Sequence, residues 1–167
     1  MRSTDSSTPV LLGAIALALA FTACGSADQS LADRQQAVAE AGADVMPFDL
    51  DATTHVFTDT DTGGIQDVVA DDPGDTANID LIRLHLADEA NSFRTGDFSD
   101  PEAIHGPAMP GLATLKERFA DIRVELTDTD SGARITYDTD DPAVVAAIHD
   151  WFAAQTSDHG DHAEHAG

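Results

Sequence analysis

Apolar and polar residues along the chain fall into two similar halves. Thr53-Thr54-His55-Val56-Phe57 and Ile65 to Ala70 read as strands, and Asp59-Thr60-Asp61-Thr62-Gly63-Gly64 between them has hairpin chemistry. Asp71-Asp72-Pro73 then opens a helical region with Ile79, Ile82, Leu86, Ala90 and Phe93 at helix spacing, ended by Gly96. A loop over 100–111 and a short helix from Leu112 to Phe119 follow. Ile122, Val124 and Leu126 then alternate with Arg123 and Glu125, which predicts a half-buried strand; Ala133, Ile135 and Tyr137 make its partner. Asp140-Asp141-Pro142 opens a last helix, with Val144, Val145, Ile148, Trp151 and Phe152 on one face.

The halves also match in register. Thr127 lies 69 positions after Thr58, and at that offset 58–73 aligns with 127–142 without a gap: Thr58-Asp59-Thr60-Asp61 meets Thr127-Asp128-Thr129-Asp130, and Asp71-Asp72-Pro73 meets Asp140-Asp141-Pro142. The match reads as a duplicated strand–strand–helix unit, with convergent turn and capping chemistry in an Asp-rich chain as the other account. Two such units predict an α+β domain: a duplicated ββα unit forming a four-stranded, mainly antiparallel sheet with helices packed on one face.

The ends differ from this core. Met1-Arg2, an apolar run from Val10 to Phe21, and Thr22-Ala23-Cys24 have the parts of a secretory signal, and the run is too short to span a bilayer. Phe21-Thr22-Ala23-Cys24 resembles a bacterial lipobox with Phe in the usual Leu position. The expected organisation is a lipoprotein signal peptide over 1–23, a flexible tether over 24–45 starting at lipidated Cys24, the domain over 46–156, and a His-rich acidic tail over 157–167. Cys24 is the one cysteine, so no internal disulfide forms and no thiolate remains for metal. Its acyl chains would anchor the protein in the lipid bilayer, on the extracytoplasmic face of the cell membrane.

Formal net charge is −23. Such a surface repels nucleic acid and anionic head groups, so neither is an expected partner, and it attracts cations loosely. A host with Asp-rich proteins throughout would give the same charge, so charge alone assigns no function.

Three groups of residues carry candidate metal chemistry. The tail spaces His159, His162 and His165 by three with carboxylates between, a composition that suits divalent ions and equally a solvated tail. His105 and Met109 share a loop stiffened by Pro107 and Pro110. Imidazole with thioether suits copper, Cu(I) above all, although core packing of Met109 is the more frequent outcome for such a pair. His85 and Glu89 lie four apart on the predicted helix, as ligands or as a hydrogen-bonded pair at the core edge. His55 joins a site if its strand end faces the His105 loop, and His149 reads as structural. Asp59-x-Asp61-x-Gly63 lacks the Gly and Glu positions of a calcium loop and reads as a turn.

Met46-Pro47-Phe48-Asp49-Leu50, Thr53-Thr54-His55-Val56-Phe57, Gly63-Gly64-Ile65-Gln66, Gly96-Asp97-Phe98, Ile104-His105-Gly106, Met109-Pro110-Gly111-Leu112, Ala133-Arg134-Ile135-Thr136-Tyr137 and Asp158-His159-Gly160 together resemble a family of small bacterial exported proteins, often named aspartate carbamoyltransferases. The resemblance covers roughly 46–160. A true transcarbamoylase brings several Arg, His and Lys side chains from two α/β domains to two anionic substrates. This chain has a single lysine, Lys116, and a negative field. The sequence also offers no nucleophile–base pair or phosphate loop, so no enzyme is expected. The expected function is extracytoplasmic metal handling by an anchored lipoprotein, copper ahead of zinc; the alternative is a non-metal envelope interaction module.

Overall fold

The computed structural model describes residues 30–166; the expected signal peptide, Cys24 and the first part of the tether lie outside the described residues. The domain is α+β, a five-stranded mixed sheet with several helices.

Strands β1 (Thr53–Thr60) and β2 (Gly63–Ala70) form the first hairpin, and α2 (Thr76–Arg94) follows, after α1 (Leu31–Val45) at the start. Helices α3 (Ser99–His105) and α4 (Leu112–Glu117) precede the second hairpin, β3 (Arg123–Thr129) with β4 (Gly132–Asp138). Then come α5 (Pro142–His159) and β5 (Ala163–Ala166). The strand order is β3-β4-β2-β1-β5, antiparallel except for β5, which runs parallel to β1. The predicted four antiparallel strands are therefore four of five, and the edge of β1 is paired rather than open.

Alternation sets the layers. Phe57, Val68, Ile135 and Tyr137 point to the face that α2 and α5 cover, while their strand neighbours Val56, Asp67, Val69 and Thr136 face the other way and are half-buried. The α2 stripe, Ile79 to Phe93, is buried throughout. Asp75 caps α2 by accepting from the Asn78 amide, and Asp141 does the same for α5 from Ala143 with Pro142 in the first turn. Trp151 and Phe152 of α5 meet Tyr137 and Phe57 ring to ring at 5.0–5.8 Å. The Phe152 ring rests on Gly64, where an added Cβ would stand 2.2 Å from Cε2.

Both expected flexible ends are structured within the described range. The segment expected as a tether is helical from Leu31, capped by Ser30, with Val38 and Gly42 buried against the domain. Its apolar content is low, and its docking relies on Val38, small residues and two polar anchors: Arg34, bonded to Asp158, and Gln35, whose side chain donates to the Ser157 carbonyl. The expected tail divides similarly. Residues 157–159 continue α5, Gly160 turns the chain at φ +57°, and 163–166 pair with β1 (His55↔Ala163, Phe57↔His165). Backbone hydrogen bonds to an edge strand, rather than an apolar face, hold that segment.

Candidate functional site

Inward alternation places His55 of β1 in the core, 5% exposed. The last turn of α5 carries Asp158 and His159, and the last turn of α3 ends on buried His105. These three elements bring three imidazoles together. His159 stacks on His55 with ring centres 5.1 Å apart and planes within 5°, and meets His105 edge-on at 5.0 Å.

Hydrogen bonds orient one of these rings. Asp158 Oδ2 lies 2.8 Å from His105 Nδ1. Arg34 donates to both Asp158 oxygens (3.0 and 2.5 Å) and to the His105 carbonyl (2.7 Å). Burial alone would raise the Asp158 carboxyl, but its bonds to Arg34 and His105 hold it below the usual range. An ionised carboxylate only accepts, so neutral His105 carries its proton on Nδ1 and leaves Nε2 with a lone pair.

Burial keeps the rings neutral. It pushes His55 down to about 4, with His85, His105 and His162 as neighbouring charges that add to the shift. His159 is driven well below its ordinary value by burial and then by His55, and His105 is lowered by burial against the pull of Asp158. Buried His159 Nε2 has no hydrogen-bond partner, an exception to the rule that buried polar atoms are paired. His55 and His159 open on a cleft of about 320 Å³, walled by Gln35 and Gln36 of α1 and by Asp51 and His162.

A second polar group adjoins the first. His85 Nε2 and Glu89 Oε1 are 3.8 Å apart, with 10% and 12% of their side chains exposed. Burial, with Asp100 adding, pushes Glu89 up to about 8, and burial lowers His85, so the site favours the uncharged form of both. They share with His55, His105, Gln66 and Gln155 a cavity of about 20 Å³, room for about one water molecule. Tyr137 Oη donates to Gln66 Oε1 at 2.7 Å on the same side.

The structure thus gathers His55, His85, Glu89, His105 and His159, sets His162 on the rim of the cleft that His55 and His159 line, and separates Met109 and His165 from their centre. Met109 is buried in the hydrophobic core and borders a different hollow, with Arg34, His105 and Asp158. Gly111, at φ +75° and seated against the Ala147 carbonyl, brings that loop onto α5. His162 lies on the cleft rim, 3.8 Å from Asp51, and His165 reaches Asp59. Sequence reasoning missed Arg34 and Asp158. A usable signal existed for Asp158: Ile148, Trp151, Gln155 and Asp158 continue the buried face of α5 at steps of three and four. Among the described residues, no three His, Cys, Asp or Glu side chains are already disposed around one point as metal ligands. Fold and site together define an α+β domain with a neutral histidine cluster under an N-terminal helix. No family model, curated protein or solved structure matches the chain.

Proposed function

We propose that this chain is a membrane-anchored, extracytoplasmic metal-handling lipoprotein whose domain takes one divalent transition-metal ion at His55, His105 and His159. The observation that carries the reading is His159. It is a half-buried imidazole whose Nε2 is shut off from solvent without a partner, about 5 Å from two other imidazoles. Imidazoles that share a tetrahedral ion through one nitrogen each, at ~2.0–2.1 Å, have ring centres roughly 5 Å apart. His55 and His159 lie parallel, so ion capture turns one ring about its Cβ–Cγ bond. The Asp158–His105 bond, braced by Arg34, is the carboxylate–histidine support that metal-ligating imidazoles use.

An all-imidazole set favours Cu²⁺ over Zn²⁺ by the usual order of stabilities. With Met109 in the core, the thioether stands outside this ligand set, and Met109→Leu leaves Cu²⁺ and Zn²⁺ affinity unchanged. Because burial lowers all three rings, they keep their lone pairs further into acid than solvated histidines do, so Cu²⁺ is released at a lower pH than from solvated histidines. The domain is read as non-catalytic despite its resemblance to the proteins named carbamoyltransferases: the cation at the cluster, Arg34, is committed to Asp158.

The test is competition titration of Cu²⁺ and Zn²⁺ into the full-length wild type and His159→Gln and His105→Gln variants, with electron paramagnetic resonance counting the nitrogens on Cu²⁺. A tenfold or greater loss in both variants, with three nitrogens in wild type, supports the reading. Equal affinity in wild type and His159→Gln refutes it.

A further inference from the structure

At the other end of β1, three titratable side chains from three elements meet: Asp59 of β1, His149 of α5 and His165 of β5. His149 Nε2 is 2.9 Å from the Gly63 carbonyl and 3.1 Å from that of Thr60. Carbonyl oxygens only accept, so Nε2 carries the proton and, in the neutral ring, Nδ1 carries the lone pair. That lone pair faces Asp59 Oδ2 at 3.8 Å. His165 Nε2 lies 3.2 Å from the other oxygen, Asp59 Oδ1, which is shut off from solvent without a hydrogen bond.

An acceptor facing an acceptor needs a positive charge between them. Fixing one imidazole nitrogen on a backbone carbonyl while the other points at a carboxylate is how proteins set the tautomer of a metal-ligating histidine. Two ligands on a tetrahedral ion at ~2.0–2.1 Å stand roughly 3.3 Å apart, close to the 3.2 Å from His165 Nε2 to Oδ1; His149 Nδ1 stands 3.8 Å from the other oxygen, so an ion held by both imidazoles takes the carboxylate through both oxygens. The three side chains are each about one-third exposed, so the ion arrives from solvent and keeps water in its remaining positions. The three side chains line one hollow, with His165 on the edge strand.

We propose that Asp59, His149 and His165 form a second divalent-metal site, with two imidazoles and one carboxylate suited to Zn²⁺ or Cu²⁺, that fastens β5 to the sheet. It is independent of the His55–His105–His159 reading. His55 and Asp59 are four residues apart on one strand, roughly 13 Å, so one ion cannot serve both.

Zn²⁺ titration of the full-length chain tests this in wild type, His165→Gln, Asp59→Asn and, as a control in the other cluster, His159→Gln. Calorimetry reads affinity and stoichiometry, amide exchange reads residues 163–166, and circular dichroism checks the fold. The expected result is a site weakened tenfold or more by His165→Gln and by Asp59→Asn but kept in His159→Gln, with Zn²⁺ slowing exchange at 163–166 at least tenfold only while that site is intact. If wild type binds one Zn²⁺ and His165→Gln removes it, this site stands and the first fails. Unchanged affinity and unchanged slowing in His165→Gln and Asp59→Asn overturn it: Asp59 and the two histidines are then only a proton-dependent ion pair.

Discussion

Replacing Glu89 by Gln isolates the electrostatic cost of the buried polar group, because Gln copies the shape of a protonated carboxyl and cannot ionise. Burial raises Glu89 from 4.5 to about 8. A raised folded-state value means stability is fully present below the unfolded value and is lost as pH rises through the folded one. Between those values the native state holds a proton that the unfolded chain has released, and stability falls by about 1.36 kcal/mol per pH unit. The buried histidines act oppositely. Their lowered values give stability that is present above ~6.5 and lost as pH falls towards about 4 for His55. From pH 6.5 to 8 each lowered histidine still adds about 0.4 kcal/mol as the unfolded chain loses its last imidazolium protons, about 1.5 kcal/mol for His55, His85, His105 and His159 together. Glu89 removes about 2 kcal/mol over the same range, so metal-free wild type stays nearly level while Glu89→Gln rises, and the two diverge by about 2 kcal/mol, or roughly 4–8 °C of Tm in a chain of this size. The extra N–H of Gln adds an offset that does not depend on pH, so the difference in slope, not the absolute stability, is diagnostic. Urea denaturation of both proteins in chelator at pH 6.5, 7.25 and 8 measures it. Parallel stability curves for the two proteins would show that Glu89 is ionised and solvated in the native state.

Arg34→Met removes the clamp on Asp158. With Arg34 36% exposed, solvent screens part of the loss, and about 2 kcal/mol of destabilisation is expected from the missing charge-assisted bonds; thermal unfolding checks it, and an unchanged Tm contradicts the clamp. Ending the chain at Gln155 removes Asp158, His159 and β5 together and should lower Tm by several degrees and abolish Cu²⁺ binding, both readable in one calorimetric series; a wild-type Tm would mean the 157–166 segment is not docked in solution. Cys24→Ala should move the protein from the membrane fraction to the soluble one and abolish labelling by a palmitate analogue; wild-type protein that takes up no label would refute the anchor.

The parts of the fold legible in the sequence are those whose apolar period is strict. The Ile79–Phe93 stripe, the two hairpins around Asp-Thr turns and the Asp141-Pro142 start of α5 all follow from local chemistry. A weak helix could be read near α1, but its docking and strand β5 were not legible, because neither presents a broad apolar face. Arg34 and Gln35 anchor the first, and backbone pairing to β1 anchors the second, and neither leaves a hydrophobic pattern. Residue type alone picked out His55, His85, Glu89 and His105 as candidates, but their convergence depends on where three separate elements end. Met109 stood out for its thioether beside a histidine, whereas its place is decided by Gly111, which lays the loop on α5 so that the side chain completes the core.

The Arg34–Asp158 pair joins residues 124 positions apart, and this separation has a kinetic consequence. Closing a loop of that length costs on the order of 4 kcal/mol of chain entropy, whereas the hairpins and helices it encloses close over a few residues each. Local structure therefore forms first and the clasp last. If α1 docks after the rest of the domain, the cluster histidines are uncovered for an interval during refolding. Metal present at that stage meets them before Arg34 reaches Asp158, so the order of adding ion and removing denaturant should decide how fast the loaded protein appears.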